Sequence, residues 1–83
     1  MLEIGKNYFV RTLSDHWVGQ VEKVLGPFCV KLINASWVAD SGRLSTFAKT
    51  GKTDNMEIEP VGTIIVKWEA AIEWPHALFT KAI

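Results

Sequence analysis

The chain has 83 residues and a net charge of zero, from nine basic and nine acidic side chains. It is too short for two ordinary domains of about 100 residues each, and its apolar fraction of 48% is well above that of disordered chains. The neutral charge argues against general binding of DNA or RNA, because phosphate contacts normally need a basic excess.

Cysteine usage and hydropathy predict an intracellular protein. Cys29 is the only cysteine, so no disulfide can form within the chain, whereas small secreted domains usually carry several. The first residues lack the basic start and apolar run of a signal peptide. No apolar stretch approaches the roughly 18 residues of a membrane span.

Three strands are predicted in the first half of the chain. Residues 8–13 are rich in strand-forming side chains and end at Ser14-Asp15, which favours a turn. Residues 16–25 and 28–34 form the next two runs, and Gly26-Pro27 separates them. Short strands joined by tight turns favour an antiparallel meander.

A short helix is predicted over residues 41–50. Asp40-Ser41 can cap its first turn, and Gly51 is typical of a helix C-terminus. Leu44 and Phe47 fall three residues apart on one face. We therefore expect this face to cover an open end or edge of the sheet.

The second half of the chain returns to strand patterns. Residues 56–59 alternate, and residues 63–74 place one set of apolar side chains at alternate positions, namely Ile64, Val66, Trp68, Ala70, Ile72 and Trp74. A straight strand over 63–74 would span about 40 Å, so we expect a bend, or two strands joined near Glu69–Ala71. The predicted fold is mainly β with one short α-helix, as a small antiparallel β-barrel or strongly bent sheet, SH3-like or OB-like.

Motifs that suggest catalysis or metal binding have simpler structural interpretations. The Gly51-Lys-Thr segment lacks the upstream glycine of a phosphate-binding loop, because position 46 is threonine, and its glycine ends a helix. Cys29, His16 and Asp15 are the residue types of a thiol catalyst, yet Cys29 lies within an apolar strand. Two histidines and one cysteine cannot complete a zinc site without carboxylates. We therefore predict neither an enzyme nor a cofactor.

Two features point instead to ligand binding. The Asp40–Arg43 segment offers amides at a helix start and a guanidinium, which suits an anion. The alternative is that Asp40 caps the helix and pairs with Arg43. Tryptophans are predicted near strand ends, where they can stack on a planar ligand or seat a partner. The candidate ligand-binding residues are Arg43, Trp37, Arg11, Trp17 and Lys49.

Several segments resemble a group of short uncharacterised phage and prophage proteins. The resemblance rests on the core Ala35-Ser-Trp-Val-Ala-Asp-Ser-Gly-Arg43, on Tyr8-Phe-Val-Arg-Thr, on Glu59-Pro-Val-Gly and on Trp74-Pro-His-Ala-Leu. It implies a phage or mobile-element accessory protein that acts in the bacterial host cytoplasm or in the virion. Proteins of this kind include inhibitors of host defence, sequestering proteins and assembly components.

Together these observations lead to one hypothesis and two alternatives. The chain is expected to be a non-enzymatic homo-oligomer that sequesters a small anionic, nucleotide-like ligand or a host factor. The first alternative is a phage structural component, and the second is an OB-like binder of single-stranded nucleic acid. The apolar C-terminal residues suggest the oligomer interface, for which the candidates are Trp74, Pro75, Phe79 and Ile83.

Overall fold

Five strands and one helix follow one another in a computed structural model that describes residues 1–40, 44–52 and 57–81. The elements are β1 (Asn7–Arg11), β2 (His16–Gly26), β3 (Cys29–Asp40), α1 (Leu44–Thr50), β4 (Glu57–Lys67) and β5 (Ala70–Glu73). The prediction of a mainly β fold with one short helix is confirmed. The helix prediction is met over Leu44–Thr50, and its first three residues, 41–43, lie outside the described residues.

The strands form a single antiparallel sheet in the order β4-β3-β2-β1-β5. The strands β4 and β5 are consecutive in the chain but lie at opposite edges of this sheet. They do not pair with each other within the described residues. The closed barrel, SH3-like or OB-like, which is one of the two predicted architectures, is therefore wrong, and the sheet is open. Register shifts in the β2–β3 and β3–β4 pairs indicate bulges, which bend strands locally.

Each face of the sheet has its own apolar core. The face that Leu2 covers, here called the N-terminal face, carries buried residues from four strands, namely Tyr8, Val10, Val21, Val30, Leu32, Ala35 and Val66. The opposite face, here called the helix face, buries Phe9, Val18, Val38 and Ile58 together with Phe47 of α1 and Trp74. Side chains on neighbouring residues of a strand therefore belong to different cores.

The third strand is longer than predicted because it continues through Asn34 to Asp40. Asn34 has a φ of 50°, a left-handed conformation that asparagine tolerates better than most residues. The register of the β3–β4 pair shifts between Leu32 and Ala35, on either side of Asn34. The strand is thus interrupted by a bulge and does not end there.

The alternating apolar residues of 63–74 do not all face the same core. Trp68 and Glu69 separate β4 from β5, which confirms the predicted division into two strands. The break also reverses the alternation, because Ala71 packs on the N-terminal core while Ile72 is 47% exposed. The alternating residues from Ile64 therefore face the N-terminal core only as far as Trp68.

The helix is attached to the sheet through aromatic contacts. Phe47 is fully buried, and its ring centroid lies 5.4 Å from Phe9 and 4.9 Å from Trp74. Gly51 has a φ of 79° and donates its backbone N–H to the carbonyl of Phe47, which is a typical helix C-terminus. The predicted inward-facing Phe47 and the stop at Gly51 are confirmed.

Candidate functional site

The side chains best placed to bind a ligand lie on the helix face, where β1 meets β2. Arg11 and His16 are direct cross-strand partners in this antiparallel pair. Residues in such positions have Cβ atoms about 4.5–5.5 Å apart on the same face of the sheet. The side chains of Arg11 and His16 therefore start from neighbouring points on the same face of the sheet.

The turn between β1 and β2 fixes this pairing. The backbone N–H of Thr12 donates to the carbonyl of Asp15 at 2.8 Å, and the backbone N–H of Asp15 donates to the Thr12 hydroxyl at 3.0 Å. Threonine and aspartate side chains commonly make such local bonds in turns. The turn thus sets which residues of β1 and β2 face each other.

A groove begins beside the Arg11–His16 pair and continues towards β5. It has a volume of about 200 Å³, and its lining residues are Phe9, Arg11, His16, Ala70, Ala71 and Ile72. The His16 ring packs on Phe9 with 5.3 Å between centroids, and Phe9 faces Ile72 across the β1–β5 pair. The groove therefore has an apolar floor and nitrogen donors at one end.

This arrangement suits a compact molecule that has both an apolar part and an anionic group. Arginine presents a planar fork of N–H donors to carboxylate or phosphate, and a histidine nitrogen can add another. Pockets for drug-sized ligands usually measure about 300–1,000 Å³, so the groove accepts only a smaller group. We refer to Phe9, Arg11, His16 and Ile72, with Ala70 and Ala71, as the Arg11 groove.

The structure separates the predicted tryptophans from Arg11. Trp17 and Trp37 are cross-strand partners on the N-terminal face, where Trp17 packs against the core. The Nε1–H of Trp37 donates to the Asp15 carboxylate at 3.1 Å. Because Arg11 lies on the helix face, the predicted combination of these three side chains around one ligand is not assembled.

The other predicted ligand-binding residues are a lysine and an arginine. Lys49 is exposed in the last turn of α1, which covers the helix face, and so lies on the same side of the sheet as Arg11. Arg43 lies outside the described residues, as do the other residues of the predicted anion site after Asp40, the last residue of β3.

The residues predicted for an oligomer interface largely contact their own chain. Trp74 is 2% exposed, and its Nε1–H donates to the carbonyl of Ala77 at 3.3 Å. The Phe79 ring stacks on Phe47, with centroids 6.3 Å apart. Pro75 is exposed, and Ile83 lies outside the described residues. In this arrangement Trp74 offers almost no surface to a partner, whereas Pro75 does.

Three lining residues of the Arg11 groove are absent from the predicted ligand-binding set, namely Phe9, His16 and Ile72. The sequence offers His16 with Cys29 as part of a thiol catalyst or a zinc site, yet Cys29 pairs with Gly26 at the far end of β2. The signal that identifies His16 is the turn itself: a turn over residues 12–15 places residue 16 opposite residue 11. The sequence does not indicate that Ile72 lines the groove, because the break at Trp68–Glu69 reverses which face of the sheet the following residues occupy.

A second, larger cavity of about 490 Å³ lies between the strand bulges and the C-terminal segment. Its lining includes Asn34, Pro60, Gly62 and Phe79, and no charged side chain is among the described residues that line it. The described lining of this cavity therefore offers fewer groups that could bind an anionic ligand than the Arg11 groove does. Within residues 1–40, 44–52 and 57–81, no group of three His, Cys, Asp or Glu side chains is placed to hold a metal ion.

Comparisons with protein-family models, curated proteins and solved structures gave no match. Across the part of the chain that the structure describes, no helix has the length and apolar character needed to cross a membrane.

Proposed function

We propose that the chain is a non-enzymatic binding protein that holds a small anionic ligand in the Arg11 groove. The observation that carries this proposal is the cross-strand pair of Arg11 and His16 beside the Phe9 floor. This pair combines charge-assisted hydrogen bonding with apolar contact in one place. The ligand class is a phosphate or carboxylate attached to a compact apolar group.

The volume of the Arg11 groove, about 200 Å³, limits how much of a nucleotide-like ligand can bind inside it. A whole nucleotide exceeds this space, so only its phosphate end or its base would occupy the groove. A small aromatic or branched aliphatic acid is compact enough to bind there as a whole. The exposed edge of Ile72 would then cover the apolar part of such a ligand.

The biological setting remains the one that the resemblance to phage proteins implies. In that setting the protein acts as a homo-oligomer in the cytoplasm of a bacterial host and withholds a small signal molecule from a defence system. The net charge of zero favours this role over nucleic-acid binding, and it opposes self-association only weakly. Native mass spectrometry of the purified protein gives the number of subunits and the mass of any molecule that copurifies.

The groove itself is tested by NMR titration with phenyl phosphate, inorganic phosphate and benzyl alcohol. We expect phenyl phosphate to shift the amide signals of Phe9, Arg11, His16 and Ile72 with a saturable curve. Inorganic phosphate and benzyl alcohol should each bind more weakly, because each supplies only one of the two contacts. Arg11→Met should reduce the affinity for phenyl phosphate at least tenfold, since a hydrogen bond to a charged group contributes about 1.5–3 kcal/mol.

Lys67→Met is the matched control, because Lys67 is an exposed cation on β4 at the opposite edge of the sheet. Equal weakening by Lys67→Met would mean that phenyl phosphate responds only to net charge. Shifts centred elsewhere, or none at millimolar phenyl phosphate, would refute the assignment of the groove.

A further inference from the structure

The N-terminal face carries a second surface, of opposite charge, at the same end of the sheet. Trp17 and Trp37 are neighbours across β2 and β3, and Glu59 is the cross-strand partner of Trp37 on β4. The carboxylate of Asp15 is hydrogen-bonded to the Trp37 indole. We call Trp17, Trp37, Asp15 and Glu59 the tryptophan–acid surface.

The two tryptophans are positioned for contact beyond their own core. Both are only partly buried, and Trp37 is held in place by its hydrogen bond to Asp15. Asp15 is itself fixed, because its second carboxylate oxygen accepts a hydrogen bond from the Ser14 hydroxyl at 2.9 Å. The same turn presents Leu13, whose side chain is 91% exposed. Tryptophans are enriched in protein–protein interfaces, and this partly buried pair leaves indole surface available to a partner.

The charge of this surface determines the kind of partner. Glu59 is exposed and is the cross-strand partner of Trp37, and the Asp15 carboxylate accepts the hydrogen bond of the Trp37 indole. Arg11, the last residue of β1, points to the opposite face. A cationic group over an indole gains a cation–π interaction, and the two carboxylates add Coulombic attraction.

We propose that the tryptophan–acid surface docks a basic segment of a partner protein and seats an arginine side chain between Trp37, Asp15 and Glu59. Arginine suits this site better than lysine, because its planar guanidinium stacks on an indole and bonds a carboxylate with its edge. The proposal does not depend on the Arg11 groove, which lies on the other face of the sheet.

The test uses a capped glycine–serine peptide that carries three arginines, and the same peptide with citrulline in place of arginine. Citrulline keeps the shape of the side chain and removes its charge. We expect the arginine peptide to shift the indole N–H signal of Trp37 and the amide signals of Asp15 and Glu59 in a saturable way. The citrulline peptide should leave these signals unchanged, and added salt should weaken the binding of the arginine peptide.

Two conservative variants test whether the carboxylate charges are needed for binding, without removing the side chains that support the fold. Asp15→Asn keeps an acceptor for the Trp37 indole, and Glu59→Gln keeps the shape of that side chain. Each should weaken binding of the arginine peptide about two- to fivefold, as expected for exposed cation–π and ion-pair contacts. Glu73→Gln, an exposed carboxylate change on β5, should have no effect on that affinity.

Three outcomes would overturn the proposal. These are equal binding of the citrulline peptide, shifts centred on other acidic residues such as Glu22 or Glu73, and unchanged affinity in both Asp15→Asn and Glu59→Gln. Arg11→Met serves to distinguish the two sites, since it should weaken phenyl phosphate binding at least tenfold and leave arginine-peptide binding intact.

Discussion

Gly51 and His76 lie so close together that a Cβ on Gly51 would be 2.7 Å from the Cγ of His76. The Nε2 of His76 is 3.0 Å from the carbonyl oxygen of Ala48 and therefore donates a hydrogen bond to it. His76 thus fixes the segment after β5 to the last turn of α1. The absence of a side chain at Gly51 makes this contact possible.

Gly51→Ala is expected to destabilise the protein for two separate reasons. The φ of 79° costs about 1–2 kcal/mol for a residue with a Cβ, and the contact with His76 adds about 1–3 kcal/mol of overpacking. Urea unfolding followed by tryptophan fluorescence measures the total. Gly62→Ala is the control, because Gly62 has a φ of 84° but a Cβ added there would meet no atom within 4 Å. If both variants lose the same stability, the contact with His76 is unimportant.

Phe47→Ala is expected to remove most of the contact between α1 and the sheet. Truncation of a fully buried phenylalanine costs about 3–5 kcal/mol, which is a large part of the total stability of roughly 0.05–0.15 kcal/mol per residue. Phe47→Leu is the milder variant and should cost about 1–2 kcal/mol. Ser45→Ala, at an exposed position of the same helix, should change the free energy of unfolding by about 0.5 kcal/mol or less. An equal effect of Ser45→Ala and Phe47→Leu would contradict this account of the helix.

The sequence predicts the class of fold because its strands and turns are determined locally. The turn after Arg11, the Gly26-Pro27 turn and the stop at Gly51 are set by side chains that act on their own backbone. The content of strands and the buried Phe47 were therefore predictable. The open sheet was not, because closure depends on whether β4 and β5 meet, and no local pattern encodes that.

The candidate site was only partly predictable for a related reason. Arg11 and Trp37 both carry the chemistry of ligand binding, but which face each occupies depends on register. A change of one residue in register moves a side chain to the other face. The β1–β2 turn places Arg11 opposite His16 on the helix face, while β2–β3 pairing places Trp37 with Trp17 on the other. Composition alone could not separate the cationic groove from the acidic surface.

Lys6→Met is expected to raise the pKa of Glu3 towards its ordinary value. The Lys6 ammonium lies 2.7 Å from the Glu3 carboxylate, and its hydrogen bond and charge hold the pKa of Glu3 below that value. A lowered folded-state pKa contributes stability above the unfolded-state pKa, and this contribution is lost as the pH falls through the folded-state value. A carboxyl-detected NMR titration measures the pKa directly. Lys67→Met should leave it unchanged, and a pKa of Glu3 that is the same with and without Lys6 would contradict the pairing.

Phe79→Ala tests whether the C-terminal segment stabilises its own chain or a neighbour. Phe79 packs on Phe47 and Trp74 within one chain, at centroid distances of 6.3 and 6.0 Å. We therefore expect the variant to lose about 1–3 kcal/mol of unfolding free energy, by the same amount at every protein concentration. Thr80→Ala, at the adjacent exposed position, should have little effect. Urea unfolding at two concentrations a hundredfold apart decides the question. A loss that depends on concentration would instead place Phe79 in an interface between subunits, because the stability of an oligomer changes with the concentration of its protomers.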